Sequence, residues 1–150
     1  CKSSKVFGGV CAKDTYKQVA KQAMLYAVNT DPLWSPGKHW FVVDHTQEPC
    51  VVFDSYGARS PTSSSEFWQG TLGTAYFSDD ALQGTTTNVC GDYCVFYVFL
   101  HATGAAPRSC FSLLCELGVD THDRVHCVRE MCVCVSFFGT FHNDGVHFSP

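Results

Sequence analysis

Residues 39–45 and 50–55 are two short runs rich in Val, Phe and Trp, and Thr46-Gln47-Glu48-Pro49 between them has turn chemistry. That pattern commits the chain to a β-hairpin, and hairpin register follows from loop length. If His45 and Cys50 close a four-residue loop, cross-strand partners have numbers that sum to 95. His39 then lies opposite Tyr56 and Phe41 opposite Asp54, and strand alternation puts all four on one face. Diagonal neighbours in such a pair sit ~7–8 Å apart at the backbone, within side-chain reach. Asp54 is therefore predicted to hydrogen-bond the His39 imidazole, whereas Asp44 points to the opposite face. A carboxylate on one ring nitrogen fixes the tautomer and leaves the other nitrogen free as a base. Read alone, such a pair is more often a structural contact than a catalytic one.

Elsewhere the sequence reads as alternating helices and strands. Residues 14–29 are expected to be the first helix, capped by Asp14 or Thr15, with Tyr16, Ala20, Ala23 and Ala27 at helical spacing. Lys13, Lys17 and Lys21 would line its exposed face, most simply a solvated surface, otherwise a contact for nucleic acid or an acidic partner. Residues 56–65 read as loop, residues 66–77 as a short helix followed by a strand, and residues 79–88 as polar and irregular. Residues 89–102 are almost wholly apolar, which suits a buried element and leaves helix and strand both open. Two more helices are expected at 108–117, ended by Gly118, and at 123–134. No internal repeat or boundary is visible, so residues 1–150 are expected to form a single domain.

Composition narrows the class. With 45% hydrophobic and 16% charged residues, the chain can bury a core and is neither disordered nor fibrous. Its longest uncharged apolar run, at 95–100, is far too short to cross a bilayer, and no signal peptide is legible. The net charge of −4 argues against a mainly phosphate-binding surface. Residues 1–38 nevertheless carry six Lys against Asp14 and Asp31, a local +4 that leaves −8 for the remainder. The ten cysteines are irregularly spaced, and Cys94, Cys115, Cys132 and Cys134 sit in apolar runs where a thiol acts as a small hydrophobe. Mostly free thiols in a reducing, intracellular compartment are expected.

Asn88-Val89-Cys90-Gly91 precedes the apolar run. A cysteine at the start of a buried helix feels the positive end of the helix dipole, which favours the thiolate. Gly91 offers no side chain to obstruct an approaching substrate. Seven residues before Cys90 stands Gln83, whose amide could donate to a developing oxyanion, as could the Cys90 N–H. The bland alternative is a packed cysteine at a helix start.

Taken in order, His39-Trp40, Phe53-Asp54 ahead of Tyr56-Gly57, Gln83-Gly84 and Cys90-Gly91 resemble the adenovirus-type cysteine endopeptidases, the adenain family, which is related to the SUMO-specific proteases. The similarity covers about residues 7–100 and continues loosely through Leu113, Leu114, Gly118 and Val119. The six residues between Gln83 and Cys90 fit the adenovirus branch better than the SUMO-protease branch. The resemblance implies an α+β fold, a mixed central β-sheet packed by helices, with the nucleophile at the N-terminus of a buried helix. It implies a catalytic triad of His39, Asp54 and Cys90, and an oxyanion hole from Gln83 and Cys90. The activity implied is a viral thiol protease cleaving precursor proteins at Gly-containing sites during virion maturation. Val6-Phe7-Gly8-Gly9 is similar to such a site, though it reads more simply as a turn.

Three departures stand out. The acid is Asp54 where the family usually has Glu. No cysteine lies between Cys50 and Cys90, so the disulfide that joins the family's activating peptide to the enzyme has no partner there. Adenovirus enzymes are basic and use DNA as a cofactor, whereas this chain is acidic. What the resemblance implies is thus a protein or peptide substrate, a non-covalent activating peptide, little DNA activation, and no cofactor for the chemistry. A monomer without membrane contact, in the host nucleus or cytoplasm and the virion, is expected.

Rival readings remain at the level of sequence. His122 and His126 have helical metal-ligand spacing and Cys127, Cys132 and Cys134 follow, but no Cys-x-x-Cys pair exists, so no metal is expected. An isopeptidase acting on ubiquitin-like modifiers or an acetyltransferase would use the same triad. A catalytically silent peptide-binding module would use none of it.

Overall fold

The computed structural model describes residues 6–20, 24–84 and 86–105. The expected hairpin is there: β3 (Trp40–Asp44) pairs antiparallel with β4 (Val51–Phe53). Its register is Val42 with Phe53, Val43 with Val52 and Asp44 with Val51, the pairing in which numbers sum to 95. Both strands are shorter than the apolar runs, because His39 and Asp54 lie just beyond the ladder.

Residues 14–29 do not form one helix. Among the described residues of this stretch Tyr16–Val19 alone is helical (α1), and Leu25–Asn29 is a strand, β2. The physical reason lies in burial. Every residue of β2 is buried, and the strand sits between β1 (Phe7–Ala12) and β3. A strand covered on both faces shows no alternation, so its apolar run imitates a helix in sequence. β1 is itself a correction, since Val6-Phe7-Gly8-Gly9 enters a strand with a register shift between Phe7 and Gly9 rather than a turn. Lys13 and the exposed Lys17 lie over the partly exposed Phe67 ring, 4.5 and 5.7 Å from its centroid, and Lys21 lies outside the described residues. Residues 66–77 resolve as read, into helix α2 (Glu66–Leu72) and strand β5 (Tyr76–Phe77).

The result is an α+β arrangement with a five-stranded sheet in chain order. The outer pairs β1–β2 and β4–β5 are parallel and the inner pairs antiparallel, so the sheet is mixed. Residues 89–102 supply the helix α3 (Cys90–Ala102), which spans about 20 Å and is apolar almost all round. It packs on one sheet face through Tyr93, Phe96, Tyr97 and Leu100 against Leu25, Val42 and Phe53. Trp68 and Tyr16 cover the opposite face, against Phe41, Val43 and Val52. Residues 108–117 and 123–134, expected to be helices, lie outside the described residues, as do the five cysteines and histidines of the zinc reading. Among the described residues no helix is long and apolar enough to cross a membrane.

Candidate active site

One end of the hairpin meets the start of α3. His39 enters β3, Asp54 leaves β4, and Cys90 is the first residue of α3, whose N-cap Val89 makes no side-chain capping bond. His39, Asp54 and Cys90 are all buried, at 7%, 2% and 7% exposure. Burial of such polar groups is tolerable only when they are paired.

His39 Nε2 lies 2.9 Å from each oxygen of Asp54, so the carboxylate faces the ring with both lobes. Further hydrogen bonds hold that carboxylate and its backbone. The Tyr56 N–H donates to Oδ1 at 3.0 Å, the Ser60 hydroxyl donates to Oδ2, and the Asp54 N–H donates to Ser78 Oγ at 3.0 Å. The Tyr56 ring stacks on the imidazole, with centroids 4.8 Å apart. With Nε2 committed to Asp54, Nδ1 is left buried without a fully formed hydrogen bond. Cys90, at the head of α3, interacts with the same imidazole.

The electrostatics follow from this geometry. Burial opposes a charged His39, but hydrogen bonds with Asp54 and Cys90 and the charges behind them overcome it and raise the pKa to about 9. Burial likewise opposes a Cys90 thiolate. Hydrogen bonding to His39, the backbone groups of Trp40 and Gly91, and the imidazolium charge outweigh it and bring the thiol below its ordinary value. The other described cysteines go the opposite way: burial pushes Cys11 up to about 11, raises Cys50, and raises Cys94 strongly. A thiolate–imidazolium pair is thus favoured at Cys90 and disfavoured at its neighbour Cys94, one helical turn inside the core.

Gln83 is brought to the same end of the molecule by the chain between Asp54 and Ser60. The 3-10 turn Gly57–Arg59 begins at a glycine with φ +58°, and a Cβ there would meet the Asp79 carbonyl oxygen at 2.4 Å. That close approach lets the Leu82 and Gln83 N–H groups donate to the Ser55 carbonyl at 2.8 and 2.9 Å. Gln83 Oε1 accepts from Ser55 Oγ at 2.7 Å, while Nε2 donates to the Thr87 carbonyl and, at 3.3 Å, to the Tyr56 hydroxyl. Its amide nitrogen is therefore oriented but engaged, and the long bond to Tyr56 is the weaker of the two.

Cys90 opens into a groove of about 720 Å³ lined by Gly37, Lys38, Trp40, Asn88, Gly91 and Asp92. A Cβ at Gly91 would meet nothing within 4 Å, so the protein's own packing does not demand glycine there. Asp44 is separate from this site. It is fully buried beside the far end of α3, where it accepts from the Tyr97 hydroxyl at 3.1 Å and from Thr46.

Sequence reasoning located His39, Asp54, Gln83 and Cys90 but passed over Tyr56, Ser55 and Ser60. Tyr56 carried a signal, since the hairpin register sets it opposite His39. The serines carried none, because nothing local separates them from the neighbouring serine run. Among the described residues no three His, Cys, Asp or Glu side chains are grouped to hold a metal ion. No family model matches the sequence, and no curated protein matches it either.

Proposed function

We propose that this protein is a cysteine endopeptidase of the adenain type, with Cys90 as nucleophile, His39 as acid and base, and Asp54 orienting His39. The observation that carries this reading is the buried His39–Asp54 pair set against a cysteine whose thiol is held down while every other described cysteine is pushed up. The mixed sheet with Cys90 at the head of its central helix is the arrangement that the resemblance implies.

In the reaction, the Cys90 thiolate attacks a peptide carbonyl carbon lying in the groove. The carbonyl oxygen takes up negative charge and is met by the Cys90 N–H, an N–H of the first helical turn with no intrahelical acceptor. Gln83 Nε2 joins it by giving up its long bond to Tyr56. His39 hands its Nδ1 proton to the departing amine, which leaves a thioester on Cys90. Water, deprotonated by the same nitrogen, then attacks the thioester and releases the acid and the thiol. Asp54 holds Nε2–H throughout and keeps Nδ1 turned toward the thiol. Gly37 and Gly91 both line the groove, and cleavage at sites with small residues is what the resemblance implies.

A fluorogenic Gly-Gly peptide assay tests the reading. The wild-type protein is expected to cleave it, Cys90→Ala to abolish cleavage with the fold intact, and Cys94→Ala to retain most activity. Equal loss from both substitutions would mean that packing, not chemistry, had been disturbed. Turnover that depends on acetyl-CoA would replace hydrolysis with acyl transfer to an acceptor.

A further inference from the structure

We propose that Ser60 is a positioning residue of this site, a fourth member that pins the Asp54 carboxylate face-on to His39. The inference rests on the peptidase reading above and deepens it. Ser60 is 2% exposed, and its side-chain hydrogen bonds run to Asp54 and the Thr62 N–H rather than to His39 or Cys90, so it acts through Asp54.

The direction of its proton is fixed by its other partner. A serine hydroxyl has a single proton, and Ser60 Oγ already accepts the Thr62 N–H at 2.9 Å. That proton is therefore free to go to Asp54 Oδ2. The Tyr56 N–H occupies Oδ1, so each carboxylate oxygen carries one donor besides His39.

This matters because the terminal torsion of an aspartate is broad and holds no preferred angle of its own. Without a donor on Oδ2, the carboxylate can swing and lose its two-lobed contact with Nε2. Donors on both oxygens hold the plane that gives both 2.9 Å distances. The turn that delivers Ser60 is rigid as well. Its N–H donates to the Gly57 carbonyl at 2.9 Å, and Gly57 is seated against the 79–81 backbone.

A looser Asp54 holds the imidazolium less well, which narrows the pH range of the thiolate–imidazolium pair from both sides. The full chain and its Ser60→Ala and Ser60→Thr variants are compared by peptide cleavage and by iodoacetamide alkylation of Cys90, mapped by mass spectrometry across pH. For Ser60→Ala, kcat is expected to fall by roughly ten- to hundredfold with KM nearly unchanged. Its Cys90 alkylation should begin at higher pH, and its alkaline limb of cleavage should move to lower pH. Ser60→Thr keeps the hydroxyl and should restore both curves.

A wild-type pH profile in Ser60→Ala, with or without a lowered melting temperature, would overturn the positioning role. If the wild type cleaves no peptide but the alkylation curve still shifts, the positioning role stands and the peptidase reading falls. Should Ser60→Ala fail to fold, NMR of the wild type decides. A slowly exchanging Ser60 hydroxyl proton is expected there, and rapid exchange overturns the proposal.

Discussion

At the residue scale the site is a matter of which groups lose water and what replaces it. Cys90 and Cys94 are four residues apart on one helix, yet only Cys90 meets an imidazole and backbone donors. The pH dependence follows with a definite sign. Below the depressed pKa of Cys90 the thiolate is protonated and activity is lost. Above the raised His39 value, about 9, the imidazolium has no proton left for the leaving amine. Cleavage is therefore expected to follow a bell whose alkaline limb lies above the range of an unperturbed histidine. Asp54→Asn removes the carboxylate that raises His39, so that limb should move toward lower pH as turnover falls roughly a hundred- to ten-thousandfold. Initial rates across pH for both proteins check this, and an unmoved limb in Asp54→Asn would sever Asp54 from His39.

The element that matters most is α3. Its acidic Asp92 in the first turn and His101 in the last both complement the helix dipole, and Cys90 sits at the positive end. Gly91 in that first turn has open space where a side chain would be. A glycine inside a helix costs up to about 1 kcal/mol relative to alanine, and the fold gains nothing visible in return. On the peptidase reading the groove beside Cys90 accounts for it, with a substrate backbone passing where the Cβ would stand. Gly91→Ala is thus expected to raise thermal stability slightly while raising KM for peptide cleavage. Thermal melts paired with steady-state kinetics separate the two effects, and a variant with unchanged KM would leave Gly91 unexplained.

For the whole molecule, the hairpin grips α3 at both ends. His39, held by Asp54, meets its first residue, and at the other end Thr46 Oγ1 lies 2.8 Å from His101 Nε2 while Tyr97 reaches Asp44. The distance from nucleophile to base is therefore set by how the helix seats on the sheet. Anything that stiffens that seating, such as an activating peptide bound elsewhere, would act on turnover. Such a peptide finds no cysteine between Cys50 and Cys90, so its activation should reverse on dilution and ignore reductant beyond the need to keep Cys90 reduced. DNA should stimulate weakly and only at low salt, since only residues 1–38 carry a net positive balance in a chain of net charge −4. Activator titrations read by cleavage rate and non-reducing gel test both, and a mixed disulfide or strong DNA activation at physiological salt would refute them.

The sequence by itself determined the hairpin, its register and the reach of Asp54 to His39, because turn length and two-residue alternation are local and leave one solution. It also marked Cys90, through Gly91 behind it and Gln83 before it. Tertiary structure alone decided that residues 25–29 are a strand. A fully buried central strand has no polar face to reveal its period, and only the neighbours β1 and β3 make it extended. The same holds for Ser60 and for the fate of each thiol. Ser60 reaches Asp54 through a turn seated against the distant 79–81 backbone, and a cysteine's proton affinity depends on what the fold places beside it. Those contacts join residues far apart in the chain, and no spacing between neighbours encodes them.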